Sequence, residues 1–205
     1  MKKIYFVTAN EKKIEESRYR FERFVERVQK DEGVRPEIEI CVFRKQLDEL
    51  LDPDVEKIVK KKALEAYRIV LQPCVVEHGG LFLDAWRAAQ ERPGLLGGIG
   101  HIVWDAVGDR MCGFLRKEDA RGATAQSVVG YCDGKRIHVY PGETKGEVTD
   151  QARGTSGFRW DPIFKPTGCD LTYGEMTPEK KRETSPDEIA WESFLSYVTK
   201  EFRKL

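Results

Sequence analysis

Between residues 153 and 182 the chain gathers side chains that could hold a nucleotide. Phe158 and Trp160 flank Arg159, Asp161-Pro162 makes a corner, and Lys180 sits on a helix opened by Thr177-Pro178. Aromatic rings stack on bases and fixed cations meet phosphate oxygens, so these residues imply recognition of a ring-bearing, phosphorylated ligand. Thr8-Ala9-Asn10 leads from an apolar run into a helical pattern with Lys13 in its first turn. A helix start offers free N–H groups and a positive dipole end to a phosphate, although an ordinary Asn cap with a solvated Lys has the same sequence. Glu77-His78-Gly79-Gly80-Leu81 sets an acid beside an imidazole, groups able to orient or deprotonate water.

Alternating strands and helices must position these groups. Ile4–Val7 reads as a buried strand, Glu11 to about Lys30 as a helix, and Glu37–Phe43 as a second strand. Asp52-Pro53-Asp54 opens another helix, with Asp at the cap and Pro at the first position, running to about Leu71. Cys74–Val76 is a third strand that Gly79-Gly80 is expected to break before Leu81–Leu83 resumes. From Met111 to Tyr140, short antiparallel strands are expected between Gly122, Gly130 and Asp133-Gly134, the last a hairpin signal. Ser185 to Phe202 is an amphipathic helix with Ser185 as its cap, Pro186 in first position and Glu188 as reciprocal partner in a capping box.

Composition narrows the function. The 205 residues suffice for one domain, or one domain with a small lobe, and 35 basic residues balance 35 acidic ones. No bulk field draws duplex nucleic acid or an anionic membrane, and no apolar run approaches the ~20 residues of a membrane span. A cytoplasmic protein is expected. Five cysteines without a CxxC pair suit reduced thiols.

Read in order, the motifs resemble the inosine triphosphate pyrophosphatase family over nearly the whole chain. Thr8, Asn10 and Lys13 match its Thr-x-Asn-x-x-Lys, and Gly157-Phe158-Arg159-Trp160-Asp161-Pro162-Ile163-Phe164 matches its Gly-Phe-Gly-aromatic-Asp-Pro-x-Phe. The resemblance implies an α/β fold: a central mixed, highly twisted sheet flanked by helices, with a smaller lobe and the nucleotide cleft between, all in one domain spanning 1–205. It implies hydrolysis of a non-standard purine nucleoside triphosphate to monophosphate and pyrophosphate. Thr8, Asn10, Lys13, Phe158, Trp160, Asp161 and Lys180 would bind the nucleotide. Lys62 would face the phosphates, and Glu49 and Glu77 would hold Mg²⁺. Homodimers are usual in the family, and Trp86, Trp104 and Trp191 are candidates for an apolar interface.

The chain departs from the family at three places. His78 stands where a metal-site Asp is usual, which removes a hard oxygen ligand. His78 is then either a general base with its ordinary pKa near working pH, a ligand favouring Mn²⁺, or the mark of a nucleotide-binding protein that has lost hydrolysis. Strand alternation puts Glu77 and His78 on opposite faces. Ser185-Pro186-Asp187 replaces a Ser-His-Arg that meets the purine 6-oxo group, and an ionised Asp187 can only accept, which suits an amino group. Arg159 replaces a glycine. His101 and His138 read as core or surface residues.

Overall fold

The computed structural model describes residues 1–87 and 96–202. Pro93 and Gly94, which resemble a Pro-Gly loop of the inosine triphosphate pyrophosphatase family, lie outside them. The chain alternates β1 (Lys2–Val7), α1 (Glu11–Glu32), β2 (Ile38–Phe43), α2 (Val55–Val70) and β3 (Cys74–Leu83). Short α3 (Asp84–Arg87) and α4 (Gly100–Val107) follow, then the long hairpin β4 (Gly122–Cys132) and β5 (Ile137–Val148). β6 (Phe164–Pro166), α5 (Pro178–Arg182) and α6 (Pro186–Phe202) complete it. The strands form one sheet in the order β2-β1-β3-β4-β5-β6, parallel from β2 to β3 and antiparallel beyond. This is a mixed, twisted α/β sheet flanked by helices, as the motif order implied.

Period-two alternation gives both faces of the sheet a core. Ile4, Phe6 and Val75 pack under Trp191 and Phe194 of α6 on one face. Val7, Val76 and Val128 pack against Val59 and Ala63 of α2 on the other. Burying each large apolar side chain contributes roughly 1.5–3 kcal/mol. A third core lies at the other end of β3, where Leu81, Leu83, Ala125, Ile163, Phe164 and Tyr173 cluster. Trp191 is 1% exposed and belongs to the first core rather than to an interface, whereas Trp86 and Trp104 are half-buried beside the third. Among the described residues, no helix is long and apolar enough to cross a membrane.

Several local expectations change. α2 is capped by Asp54, not Asp52: Asp54 Oδ1 accepts from the N–H groups of Glu56 and Lys57, while Asp52 accepts from Asp54. β3 runs unbroken through Gly79-Gly80, in register with β4 from Cys74↔Cys132 to Leu83↔Ala123. Gly80 answers a tertiary contact, because a Cβ there would sit 2.7 Å from the Gly97 carbonyl oxygen. Gly122 and Gly130 likewise lie inside β4, and Met111 belongs to a 3₁₀ helix. The hairpin forms at Asp133-Gly134, where Asp133 Oδ1 accepts from Lys135 and Arg136 and Gly134 has φ +94°. Glu188 does not turn back on Ser185; its Oε1 accepts from Arg20 Nε of α1 at 2.7 Å.

Candidate functional site

One cleft collects most of the residues singled out above, at the carboxyl end of β1. The β1–α1 turn closes on itself: Asn10 N–H donates to Thr8 Oγ1, and Asn10 Oδ1 caps α1 by accepting from Lys13 N–H. This capping aims the first turn of α1 into the cleft and carries Lys12 and Lys13 with it. Lys13 Nζ lies 3.0 Å from Glu77 Oε1. Lys62 reaches the same space from α2, with Nζ 2.8 Å from Glu49 Oε1. Burial is the main cause that pulls the Lys62 ammonium below its usual range, and the nearby Lys13 charge adds to it. Two ammonium groups converging in a half-desolvated cleft are stabilised by an anion bound between them.

The opposite faces of β3 divide the acid and the imidazole, as alternation requires. Glu77 points toward α6, where Oε2 accepts from Trp191 Nε1 at 2.8 Å. Burial would raise its carboxyl, but Lys13 and Arg20 outweigh that and hold it below the ordinary range. His78 points toward the Gly97-Gly98 turn, with Nε2 2.8 Å from the Gly98 carbonyl oxygen. With Nε2–H donated, Nδ1 is left bare, 3.8 Å from Glu49 Oε1. Burial, reinforced by the Lys62 charge, pushes the His78 pKa down to about 3. The ring is therefore neutral at working pH and a far weaker base than its ordinary value suggests.

His101, which the sequence reads as core or surface, belongs to this cluster. Its Nε2 is 2.8 Å from Glu49 Oε2, its Nδ1 is 3.1 Å from the same Gly98 oxygen, and its ring stands edge-on to that of His78. His101 and His78 lie far apart in sequence and meet directly and through Gly98 and Glu49, so no local pattern could have paired them. Glu49 is held strongly ionised by His101, against its burial, with help from Lys62.

This arrangement does not fit a resident hard cation. Each oxygen of Glu49 and of Glu77 already faces a protein donor. Among the described residues, no three His, Cys, Asp or Glu side chains group so as to hold an ion.

At the other end of the cleft the aromatic motif separates its two rings. Phe158 is 36% exposed, with Lys12 5.5 Å and Arg159 4.8 Å from its ring centre. Trp160 leans edge-on against Phe164 in the third core, at 5.9 Å. Asp161 is 2% exposed and accepts from the Phe158 N–H. The lysine that meets it is Lys181, with Nζ 2.7 Å from Asp161 Oδ2. Lys180, expected in the site, is half exposed and pairs with Glu183. One residue on a helix is a rotation of about 100°, enough to exchange a cleft for solvent. Glu16 of α1 and Asp187 of α6 complete this end.

A mixed, twisted sheet flanked by helices, with a cleft at a helix start lined by Lys12, Lys13, Lys62 and the Phe158 ring, defines an α/β protein. A profile of the Ham1 family matches residues 4–197, and the chain belongs to that family. It is 30% identical over 200 residues to a dITP/XTP pyrophosphatase of Methanosarcina mazei, covering 96% of this chain and 97% of that protein. Its 37% identity to the Methanopyrus kandleri protein of the same name spans 128 residues, 62% of this chain and 65% of that one. A HAM1 protein from Coxiella burnetii shares the fold, with TM-score 0.73 at 20% identity over 98% of this chain and 100% of that one. A nucleoside-triphosphatase/dITP/XTP pyrophosphatase from Mycobacterium abscessus superposes with TM-score 0.65 at 25% identity, over 95% of this chain and 100% of that one.

Proposed function

We propose that this Ham1-family protein is a nucleoside triphosphate pyrophosphatase, cleaving a purine nucleoside triphosphate between its α and β phosphorus atoms to give monophosphate and pyrophosphate. The observation that carries the reading is the convergence of Lys13 and Lys62 beside the α1 N-terminus, in one cleft with the exposed Phe158 ring. Such reactions need little covalent chemistry from the protein; positioning and charge neutralisation dominate.

Thr8, Asn10 and the α1 N–H groups would seat the phosphates, and Lys13 and Lys62 would exchange their carboxylate partners for phosphate oxygens. Glu77 and Glu49, freed by that exchange, are the groups to orient and deprotonate the attacking water. His78 holds the Gly98 turn and Glu49 in place rather than taking the proton itself. Phe158 would carry the base, with Trp160, Asp161 and Lys181 behind it. Mg²⁺ or Mn²⁺ belongs to the proposal as an ion of the substrate, whose phosphate oxygens would supply the hard ligands that Glu49 and Glu77 do not assemble. A cytoplasmic homodimer, with Trp86 and Trp104 near the contact, completes the reading.

A second reading, a nucleotide-binding protein without hydrolysis, is favoured by the neutral His78 at an acid's place. Incubation with inosine, xanthosine, deoxyuridine and the four standard triphosphates, with Mg²⁺ or Mn²⁺, decides between them. Monophosphate and pyrophosphate in equal amounts are expected; binding without pyrophosphate from any of them would establish the second reading instead.

A further inference from the structure

One carbonyl ties two imidazoles into the cleft. The Gly98 oxygen lies 2.8 Å from His78 Nε2 and 3.1 Å from His101 Nδ1, and its two lone pairs suffice for both rings. The turn that carries it is wedged in place. Gly98 N–H donates to the Pro53 carbonyl at 2.9 Å, and a Cβ on Gly98 would stand 2.7 Å from the Asp52 carbonyl oxygen. Gly98 is therefore pinned against the segment that opens α2, the helix from which Lys62 reaches the cleft.

The two rings differ in what they offer Glu49. His78 Nδ1 is 3.8 Å from Glu49 Oε1, beyond hydrogen-bond range, whereas His101 Nε2 is 2.8 Å from Oε2. An ionised carboxylate only accepts, so the proton of that bond belongs to His101 Nε2. Lys62 Nζ holds the other oxygen, Oε1, at 2.8 Å. A phosphate in the cleft competes for the Lys62 ammonium, which rides on a flexible four-carbon stem. The His101 ring has no such freedom, because it meets the pinned Gly98 oxygen on its far side and stands edge-on to His78 at 5.0 Å.

Resting on the pyrophosphatase reading, we propose that His101 is the positioning residue for Glu49: it keeps Oε2 fixed when Lys62 turns to phosphate, so that Oε1 accepts a hydrogen bond from the attacking water and orients it. Glu49 is held strongly ionised, His101 being the largest cause. Such a carboxylate is a firm acceptor and a weak base, and orienting the water is the part it can play. His101 touches neither water nor nucleotide in this role. Without it, Glu49 loses its fixed contact once Lys62 leaves, and a misplacement of about 1 Å costs on the order of a hundredfold in rate.

Steady-state pyrophosphate release by the full chain, with the same panel of triphosphates, tests this. A glutamine amide reaches about as far along the side chain as Nε2, and an asparagine amide about as far as Nδ1. His101→Asn therefore keeps the contact with Gly98 and drops the one with Glu49. It is expected to lower kcat about ten- to a hundredfold while KM changes by less than about threefold, the signature of an interaction that matters only in the transition state. His101→Gln, which returns a donor to Glu49, is expected to recover most of the lost rate. His101→Leu, which makes neither bond, serves if the Asn variant fails to fold, and melting temperatures show which variants are folded. An unchanged kcat in the Asn or Leu variant, a Gln variant no faster than they are, or a loss carried by KM alone overturns the proposal and leaves the hydrolase reading standing. No pyrophosphate from any triphosphate with the wild-type chain overturns both.

Discussion

Lys181 reaches from α5 back to the aromatic loop, its ammonium 2.7 Å from Asp161 Oδ2 and the carboxylate 3% exposed. The pair joins the segment that carries Phe158 to α5, so the shape of the proposed base pocket depends on it. Removing one partner leaves the other charged in a poorly solvated place, which costs up to about 3 kcal/mol. Lys181→Met is expected to lower the melting temperature and to raise KM by tenfold or more, taking as the scale roughly 1.4 kcal/mol per factor of ten. Lys180→Ala should change both by less than about twofold in affinity and 0.5 kcal/mol in stability, as for an exposed ion pair. Equal effects from the two variants would refute the assignment of the cleft lysine.

Burial of His78 makes stability depend on pH in a defined window. The ring has an ordinary pKa of 6.5 when unfolded and about 3 when folded. Between these values the unfolded chain binds a proton that the folded chain does not, so stability is full above 6.5 and falls as pH drops. Glu49, whose carboxyl is held low by His101, loses its own contribution only below its ordinary 4.5. From pH 6.5 to 4.5, urea unfolding is therefore expected to show His78 removing roughly 2–3 kcal/mol, at up to about 1.4 kcal/mol per pH unit. His78→Gln should flatten that slope. A slope unchanged by the substitution would mean that other groups carry it.

The parts of this molecule that were readable from sequence are those fixed by near neighbours. The β1–Asn10–α1 turn and the Asp133-Gly134 hairpin follow from capping and turn chemistry acting over three or four residues. Gly79-Gly80 misled because a glycine inside a strand can mark a break or a close approach, and only the Gly97 carbonyl, 17 positions beyond Gly80, decides which. His101 was invisible for the same reason: its partner Glu49 is distant in sequence and meets it only in the folded chain. The Glu188 capping box satisfied a local rule, but Arg20 from α1 competes for that carboxylate and wins with a charged donor. Lys180 and Lys181 differ only in helical phase, which a motif match with one residue of slack does not resolve.

The Glu49–Lys62 and Glu77–Lys13 pairs predict how the protein responds to metal alone. Both carboxylates are neutralised and His78 offers nitrogen in place of oxygen, so Mg²⁺ without nucleotide should leave the melting temperature of the wild-type protein unchanged. In His78→Asp a second carboxylate would stand beside Glu49, and millimolar Mg²⁺ should then raise the melting temperature, since an ion bound only by the folded state stabilises it by mass action. A Mg²⁺-dependent rise in the wild type would show that Glu49 and Glu77 assemble a site that their present partners conceal. No rise in the variant would mean that Lys62 and His101 keep Glu49 closed even with the acid restored.

Arg159 occupies a left-handed backbone conformation, φ +52°, where the family motif has glycine. A side chain there costs about 1–2 kcal/mol relative to glycine. Its return is a partly exposed ion pair, with Nη2 3.1 Å from Asp105 on α4, worth about 0–1 kcal/mol, together with a cation over the Phe158 ring. Arg159→Gly is therefore expected to leave stability unchanged or raise it by up to about 1 kcal/mol, net of the glycine's added freedom in the unfolded chain. The same change removes the only link between α4 and the aromatic loop among the described ion pairs, so nucleotide affinity should fall even where stability does not. Thermal unfolding and calorimetric titration of one variant separate the two effects. A stability loss above about 1 kcal/mol would show that the Asp105 pair outweighs the backbone strain, and an unchanged affinity would show that Arg159 has no part in holding the ligand.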